Sequence, residues 1–90
     1  MSEFFDGVRE TLKGCNWDLA AAELRILAAL ERKPTKAQLQ QLRSTMKMAQ
    51  GLAFERALLE GVTPGKTVAE CYTEEEVRAI AARFRIQPRD

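Results

Sequence analysis

The chain has 90 residues, of which 46% are apolar and 30% charged, and its 14 lysines and arginines nearly balance its 13 aspartates and glutamates. A chain of this size forms one small domain, predicted over residues 1–90, and its composition excludes a disordered tail. It has no histidine and only two cysteines, Cys15 and Cys71. Histidine-dependent catalysis, histidine metal sites and a disulfide framework are therefore excluded.

No apolar run approaches the roughly 18 residues that a membrane span requires. The acids Glu3 and Asp6 stand near the start, where a secretory signal has basic residues followed by an apolar run. We therefore expect a cytoplasmic protein without a membrane partner, whose two cysteines stay reduced. The abundance of alanine and arginine is typical of GC-rich bacterial or phage genomes.

The first predicted helix covers residues 3–13. Ser2 precedes it as a candidate N-cap, and Gly14 follows as a natural end. Its apolar side chains recur at steps of three and four, which is the spacing of one helix face: Phe4, Phe5, Val8 and Leu12.

The second predicted helix covers residues 17–32. Asn16 is its candidate N-cap, and Pro34 ends it because proline excludes the residue before it from the helical region. Apolar residues lie on nearly every side of this helix. We therefore expect it to lie centrally in the domain or between subunits.

The third predicted helix covers residues 36–60, about 25 residues or roughly 37 Å. Thr35 and Gln38 form a capping box at its start. Gly51 lies inside it and predicts a kink or a close helix contact. Gly61 followed by an apolar residue predicts a Schellman-type end.

The remaining third of the chain predicts a turn and two further helical segments. Residues 61–67 contain Gly-Lys-Thr, as phosphate-binding loops do, but the glycine spacing is too short and a helix precedes, so we expect an interhelical turn. A short helical turn is predicted near residues 67–71, and the capping box from Thr73 to Glu76 opens a last helix over residues 74–85. With no alternating strand pattern, the predicted fold is all-α, with four main helices in a bundle or orthogonal array.

Projection at 100° per residue shows more apolar surface on the third helix than one face can bury. Leu39, Leu42, Met46, Ala49, Ala53 and Ala57 form one face, whose alanines let another helix approach closely, whereas Met48, Leu52 and Leu59 form a second stripe. One small domain has few neighbours to cover both. The surplus predicts a partner-binding surface, most simply for a second copy in a homodimer, made of Met48, Leu52, Ala53, Phe54, Leu58 and Leu59.

Charge is segregated into a basic zone at residues 32–47, an acidic zone at 70–76 and a second basic zone at 78–89. Opposed zones suit protein recognition better than binding of a bulk polyanion. An alternative function is that of a small nucleic-acid-binding accessory protein. Its phosphate contacts would be the cations of the first zone: Arg32, Lys33, Lys36, Arg43 and Lys47.

The sequence pairs no nucleophile with a base and places no acids on an apolar face. It therefore predicts a protein that is not an enzyme and that uses no cofactor or metal. By elimination, and from the apolar surplus, the leading hypothesis is a non-catalytic protein-interaction module. Such a regulator, adaptor or inhibitor would act by binding another protein and would associate with itself.

Overall fold

The computed structural model describes residues 3–86, and no strand occurs within that range, which confirms the all-α prediction. None of its helices has both the length and the apolar character needed to cross a membrane. The predicted N-cap Ser2 and the end of the second basic zone lie outside the described residues. In chain order the helices are α1 (Glu3–Gly14), α2 (Leu19–Ala29), α3 (Lys36–Glu60), α4 (Val68–Cys71) and α5 (Glu74–Arg83).

The chain packs as two compact units that adjoin in sequence between Gln50 and Gly51. The first unit contains α1, α2 and the first 15 residues of α3, residues 36–50. The second contains the rest of α3 with α4 and α5. The single domain over residues 1–90 stays a prediction.

Three helices supply the core of the first unit. Leu12 and Ala22 have no exposed surface, and Met46 is 2% exposed. On α3, Leu42, Met46 and Ala49 are buried and Leu39 packs against them. The buried cluster consists of Val8, Leu12, Ala22, Leu42, Met46 and Ala49.

The junction of α1 and α2 differs from the prediction. Asn16 does not cap α2; its backbone is left-handed, with φ of 54°, two positions after Gly14, the last residue of α1. The left-handed residue that closes α1 is therefore Asn16 and not the predicted Gly14. The N–H of Trp17 donates to the carbonyl of Leu12 at 2.7 Å and that of Asn16 to Lys13 at 3.2 Å, which is a Schellman motif. Asparagine suits this position because it adopts left-handed backbone more readily than most residues.

The N-cap of α2 is Asp18, so the helix begins at Leu19 and not at residue 17. The Asp18 carboxylate accepts the N–H of Ala21 at 3.1 Å. A carboxylate both satisfies a free N–H group and opposes the positive end of the helix dipole, whereas the amide of Asn16 would do only the first.

Helix α2 is also shorter than predicted, and it does not lie at the centre of the first unit; a position between subunits stays a prediction. It ends at Ala29 because Leu30 has extended backbone, with φ of −79° and ψ of 138°. Pro34 disfavours helical backbone only at the residue before it, Lys33. It therefore does not determine that α2 ends as early as Ala29. Ala22 is the one buried residue of α2, and Leu24 is 69% exposed, so a single side of the helix meets the core.

Helix α3 has the predicted bounds. The capping box at its start is confirmed: the N–H of Gln38 donates to Thr35 Oγ1 at 3.1 Å, and the N–H of Thr35 donates to Gln38 Oε1 at 2.9 Å. The close helix contact expected at Gly51 is not found, because a Cβ built there meets nothing within 4 Å among the described residues.

The end of α3 is not the predicted Schellman motif. The N–H of Gly61 donates to Leu58 and that of Val62 to Leu59, both at 3.1 Å, so the last turn tightens into i→i−3 bonds. Glycine is needed at residue 61 because the Tyr72 side chain packs against it. A Cβ there would overlap the hydroxyl of Tyr72 and lie 2.9 Å from its Cζ.

A small apolar core holds the second unit. Leu58 and Phe84 are each 8% exposed, and Ala81 is 7% exposed. The rings of Phe54 and Phe84 meet with centroids 6.4 Å apart and planes tilted by 57°. The Tyr72 hydroxyl donates to the carbonyl of Leu58 at 2.8 Å, which fixes the residue after α4 to the end of α3.

The segment from Thr63 to Lys66 is a type II turn, as expected of an interhelical connection. The N–H of Lys66 donates to Thr63 at 3.0 Å, Pro64 occupies the second position, and Gly65 has the required positive φ of 86°.

Capping boxes then open both helices that follow this turn. Thr67 pairs with Glu70 at the start of α4, and Thr73 pairs with Glu76 at the start of α5. These starts were predicted from sequence and are confirmed.

Helix α5 ends at Arg83 and not at residue 85. The N–H of Ile86 donates to Ala81 at 3.0 Å and that of Arg85 to Ala82 at 3.1 Å. Arg85 has left-handed backbone, with φ of 58°. This end is a second Schellman motif with arginine in the place that glycine usually takes, so the usual glycine signal is missing.

Candidate interaction surfaces

A groove of about 990 Å³ opens on the surface of the first unit. Its apolar lining includes Phe4 of α1, Ile26 of α2 and Leu42 of α3. Leu30, in the connection between α2 and α3, also lines it. Phe4 and Leu30 are 52% and 47% exposed. Single exposed apolar residues are common, but two that line one concave surface indicate a place where a ligand or partner binds.

Charged side chains from the connection between α2 and α3 also line this groove. They are Arg32, Lys33 and the acid Glu31, and all three are exposed. Within residues 3–86, neither cation forms an ion pair. The first turn of α3, which also lines the groove, has no acid to oppose the positive end of its dipole. The groove therefore combines an apolar floor with excess positive charge.

A two-bonded ion pair joins α2 to α3 beside the core of the first unit. Arg43 Nε lies 2.6 Å from Glu23 Oε1, and Arg43 Nη2 lies 3.3 Å from Oε2. The hydrogen bond from Arg43 lowers the pKa of Glu23 below its ordinary value, and the same bond raises the pKa of Arg43. Arg43 was predicted as an anion contact, and the structure instead engages its guanidinium with a carboxylate.

The remaining predicted anion contacts do not form one patch. Arg32 and Lys33 lie at the groove, and Lys36 is the first residue of α3. Lys47 is exposed on the same helix, about 16 Å further along its axis at 1.5 Å per residue. The structure thus brings together only the first part of the predicted basic surface.

The predicted partner-binding residues have different degrees of exposure. Met48, in the first unit, is 59% exposed, and Leu52 and Leu59, in the second, are 48% and 54% exposed. Ala53 and Phe54 are half-buried, and Leu58 is buried in the second core.

Leu52 and Leu59 are seven residues apart on α3 and therefore lie on the same side of the helix. The exposed charges Glu55 and Arg56 lie between them in sequence. On this side of α3, the second unit thus presents two exposed leucines with an acidic and a basic residue between them.

Two groove residues were missed by sequence reasoning. Phe4 and Phe5 are adjacent on a helix and point about 100° apart, so both cannot face one core. Phe5 packs against the core cluster and Phe4 is exposed, a division that the doubled phenylalanine signals. The sequence predicts Leu30 inside the second helix, and its exposure at the groove follows from the early end of α2.

No protein-family model, curated protein or solved structure matches this chain. Relatives therefore supply no functional residues to carry over to it. The features that bear on its function are the groove of the first unit, the exposed leucines of the second and the charges around each.

Proposed function

We propose that this protein is a non-catalytic interaction module, a small regulator, adaptor or inhibitor that binds another protein and also forms a two-fold dimer. Exposure of large apolar side chains carries the proposal. Large apolar side chains that share one exposed surface mark an interaction site, as Phe4 and Leu30 do at the groove and Leu52 and Leu59 do on one side of α3. In the described part of the chain, six such residues are 47% to 69% exposed: Phe4, Leu24, Leu30, Met48, Leu52 and Leu59.

The pair Leu52 and Leu59 is our candidate for self-association. A two-fold interface requires a surface that is complementary to itself. If two copies of α3 lie antiparallel about an axis between Glu55 and Arg56, Leu52 faces Leu59 of the partner copy. The same register places Glu55 against Arg56 of the partner copy, so apolar contacts and opposite charges match together.

An interface of about two helical turns is small, at the low end of specific protein contacts. We therefore expect a dimer that dissociates on dilution. Light scattering tests this: the mass should rise from the monomer value of 10.1 kDa towards twice that value as concentration increases.

The matched variants for this test are Leu52→Glu and Leu24→Glu. Leu24 is the more exposed of the two leucines and lies on α2. Leu52→Glu should leave a monomer at every concentration, because it places a charge in the apolar contact, whereas Leu24→Glu should leave the dimer unchanged. A wild-type mass that never exceeds the monomer, or equal effects of both variants, would contradict the proposed dimer.

Nucleic-acid binding has less support as the function. Arg43 is paired with Glu23, which removes one cation from the predicted surface, and Lys47 lies far along α3 from the others. Phosphate contacts give affinity that falls steeply with salt. Titration with a labelled DNA oligonucleotide at two salt concentrations should show no binding, and steep salt-dependent binding would favour the alternative.

We also propose that the protein acts in the cytoplasm. Cys15 and Cys71 are free and half-buried, and reducing compartments keep such thiols unpaired. A thiol-specific reagent applied to unfolded protein, isolated from its host without reductant, should modify both. A mixed disulfide at either cysteine would contradict this location.

A further inference from the structure

We infer that the groove of the first unit binds an acidic amphipathic helix from another protein. The inference rests on the proposed function as an interaction module, and it does not depend on self-association. Neither Leu52 nor Leu59 lines the groove. Binding in the groove and dimer formation are therefore separate properties that can be measured apart.

The apolar lining of the groove suits an amphipathic peptide. The groove's volume of about 990 Å³ is at the upper end of small-molecule pockets, which span roughly 300–1,000 Å³. Apolar side chains from α1, α2, α3 and the connection between α2 and α3 line it: Phe4, Ile26, Leu42 and Leu30. Amphipathic helices fill such grooves with apolar side chains spaced three, four and seven residues apart.

The charge of the groove selects an acidic occupant. Arg32 and Lys33 are exposed and free of ion pairs within residues 3–86, and Glu31 is the single acid of the lining. No further acid follows in sequence until Glu55. Acidic side chains flanking the apolar anchors of a peptide would meet these cations, which increases both association rate and specificity.

A second copy of this chain fits the groove less well than a different protein does. The acidic start of α5, residues 74–76, has the right charge. However, Val77 and Ile80 are half-buried and Ala81 is buried, so the apolar side of α5 already packs within its own unit. An occupant needs an apolar side that is available to insert.

A displayed library of random 16-residue peptides, sorted against the full chain, identifies the preferred occupant without assuming its sequence. Enriched peptides should carry net negative charge and apolar residues at helical spacing. The most enriched peptide is then synthesised with a fluorescent label and titrated by anisotropy. Failure to enrich any peptide, or enrichment of peptides without acidic residues, would overturn the inference.

Two matched pairs of variants locate the binding site. Leu30→Ala should weaken binding by about tenfold, as loss of an interface anchor does, whereas Leu24→Ala, an exposed leucine outside the groove, should leave it unchanged. Arg32→Glu with Lys33→Glu should abolish binding and create a preference for a charge-reversed, lysine-bearing peptide. Lys13→Glu with Lys66→Glu makes the same change in net charge at two residues that do not line the groove, and it should weaken binding far less.

Equal losses within either pair would place the peptide elsewhere and overturn the inference. Tight binding of a labelled DNA oligonucleotide that is lost on reversal of Arg32 and Lys33 but kept in Leu30→Ala would overturn it in favour of nucleic acid. The mass from light scattering reports on the dimer independently. A wild-type dimer without groove binding would contradict this inference alone and leave the proposed function standing.

Discussion

In the first unit, six buried apolar residues from three helices form one cluster, whereas in the second unit only Leu58, Ala81 and Phe84 are buried among the described residues. The first unit also has long-range polar links. Glu23 pairs with Arg43, and Gln50, which is 8% exposed, donates to the Trp17 carbonyl at 3.3 Å. The first unit is thus held mainly by packing between residues that are distant in sequence.

The second unit depends more on local structure. Two capping boxes and a type II turn each involve residues within four positions of one another. Its long-range contacts within residues 51–86 include the Tyr72 hydroxyl on the Leu58 carbonyl and the contact between two phenylalanine rings. A cap contributes about 1 kcal/mol, and a buried leucine about 2–5 kcal/mol. We therefore expect the first unit to be the more stable one.

Matched leucine truncations test this difference most strongly. Leu12→Ala should lower the free energy of opening of α1 and α2 by about 2–5 kcal/mol, because Leu12 is fully enclosed. Leu58→Ala should have a smaller effect on α5, because the second core is smaller and Leu58 is 8% exposed. Native-state amide exchange measures both free energies of opening. An equal or larger loss for Leu58→Ala would contradict the higher stability of the first unit.

Two glycine substitutions on α3 and at its end should have opposite signs. Gly61→Ala should destabilise the second unit by about 1–2 kcal/mol, because its Cβ displaces Tyr72 and breaks the hydrogen bond to Leu58. Gly51→Ala should stabilise by up to about 1 kcal/mol, since the new Cβ meets open space in a helix interior. Chemical denaturation gives both values.

The Tyr72→Ala background provides the control for this pair. Gly61→Ala should cost little there, since the side chain that it displaces is gone. An undiminished cost would show that the Tyr72 contact is not the reason for glycine at residue 61.

The smallest expected effect is the pH dependence of the Glu23 and Arg43 pair, because the pair lies at the surface. The folded pKa of Glu23 is lowered from an ordinary value of 4.5, so the ionised carboxylate stabilises the folded state above that pH. The contribution is lost as pH falls through the lowered pKa. The stability difference between wild type and Glu23→Gln should therefore shrink below pH 4.5.

Glu10→Gln is the matched control for the pH experiment, since Glu10 is exposed and forms no ion pair within residues 3–86. Its stability difference from wild type should change little over the same range. A Glu23→Gln difference that is flat with pH would show that the pair does not stabilise the first unit.

Local signals explain why much of the helix pattern was predictable. Each threonine capping box combines an N-cap and a partner three residues later, and all three boxes lie where the sequence places them. The bounds of α3 follow from one of these boxes together with the breaker after Glu60. Such signals depend on neighbouring residues alone, so no knowledge of tertiary packing is needed to read them.

The incorrect predictions concern positions where one residue type suits two conformations. Asn16 is favoured both as an N-cap and in left-handed backbone, and the Trp17 N–H bond to Leu12 decides between them. Gly61 suggests a left-handed helix end, but its actual constraint is Tyr72, eleven residues later. The groove was not predicted because it depends on where α2 ends relative to Leu30.

Charge reversal at Glu55 and Arg56 tests whether the proposed dimer has the register in which Glu55 meets Arg56 of the partner copy. Sedimentation equilibrium should give a dimer for wild type and a monomer for Glu55→Arg or Arg56→Glu, because each single change places like charges together. The double variant Glu55→Arg with Arg56→Glu should be a dimer again, since two-fold symmetry restores both pairs. A double variant that stays monomeric, or single variants that stay dimeric, would contradict this register.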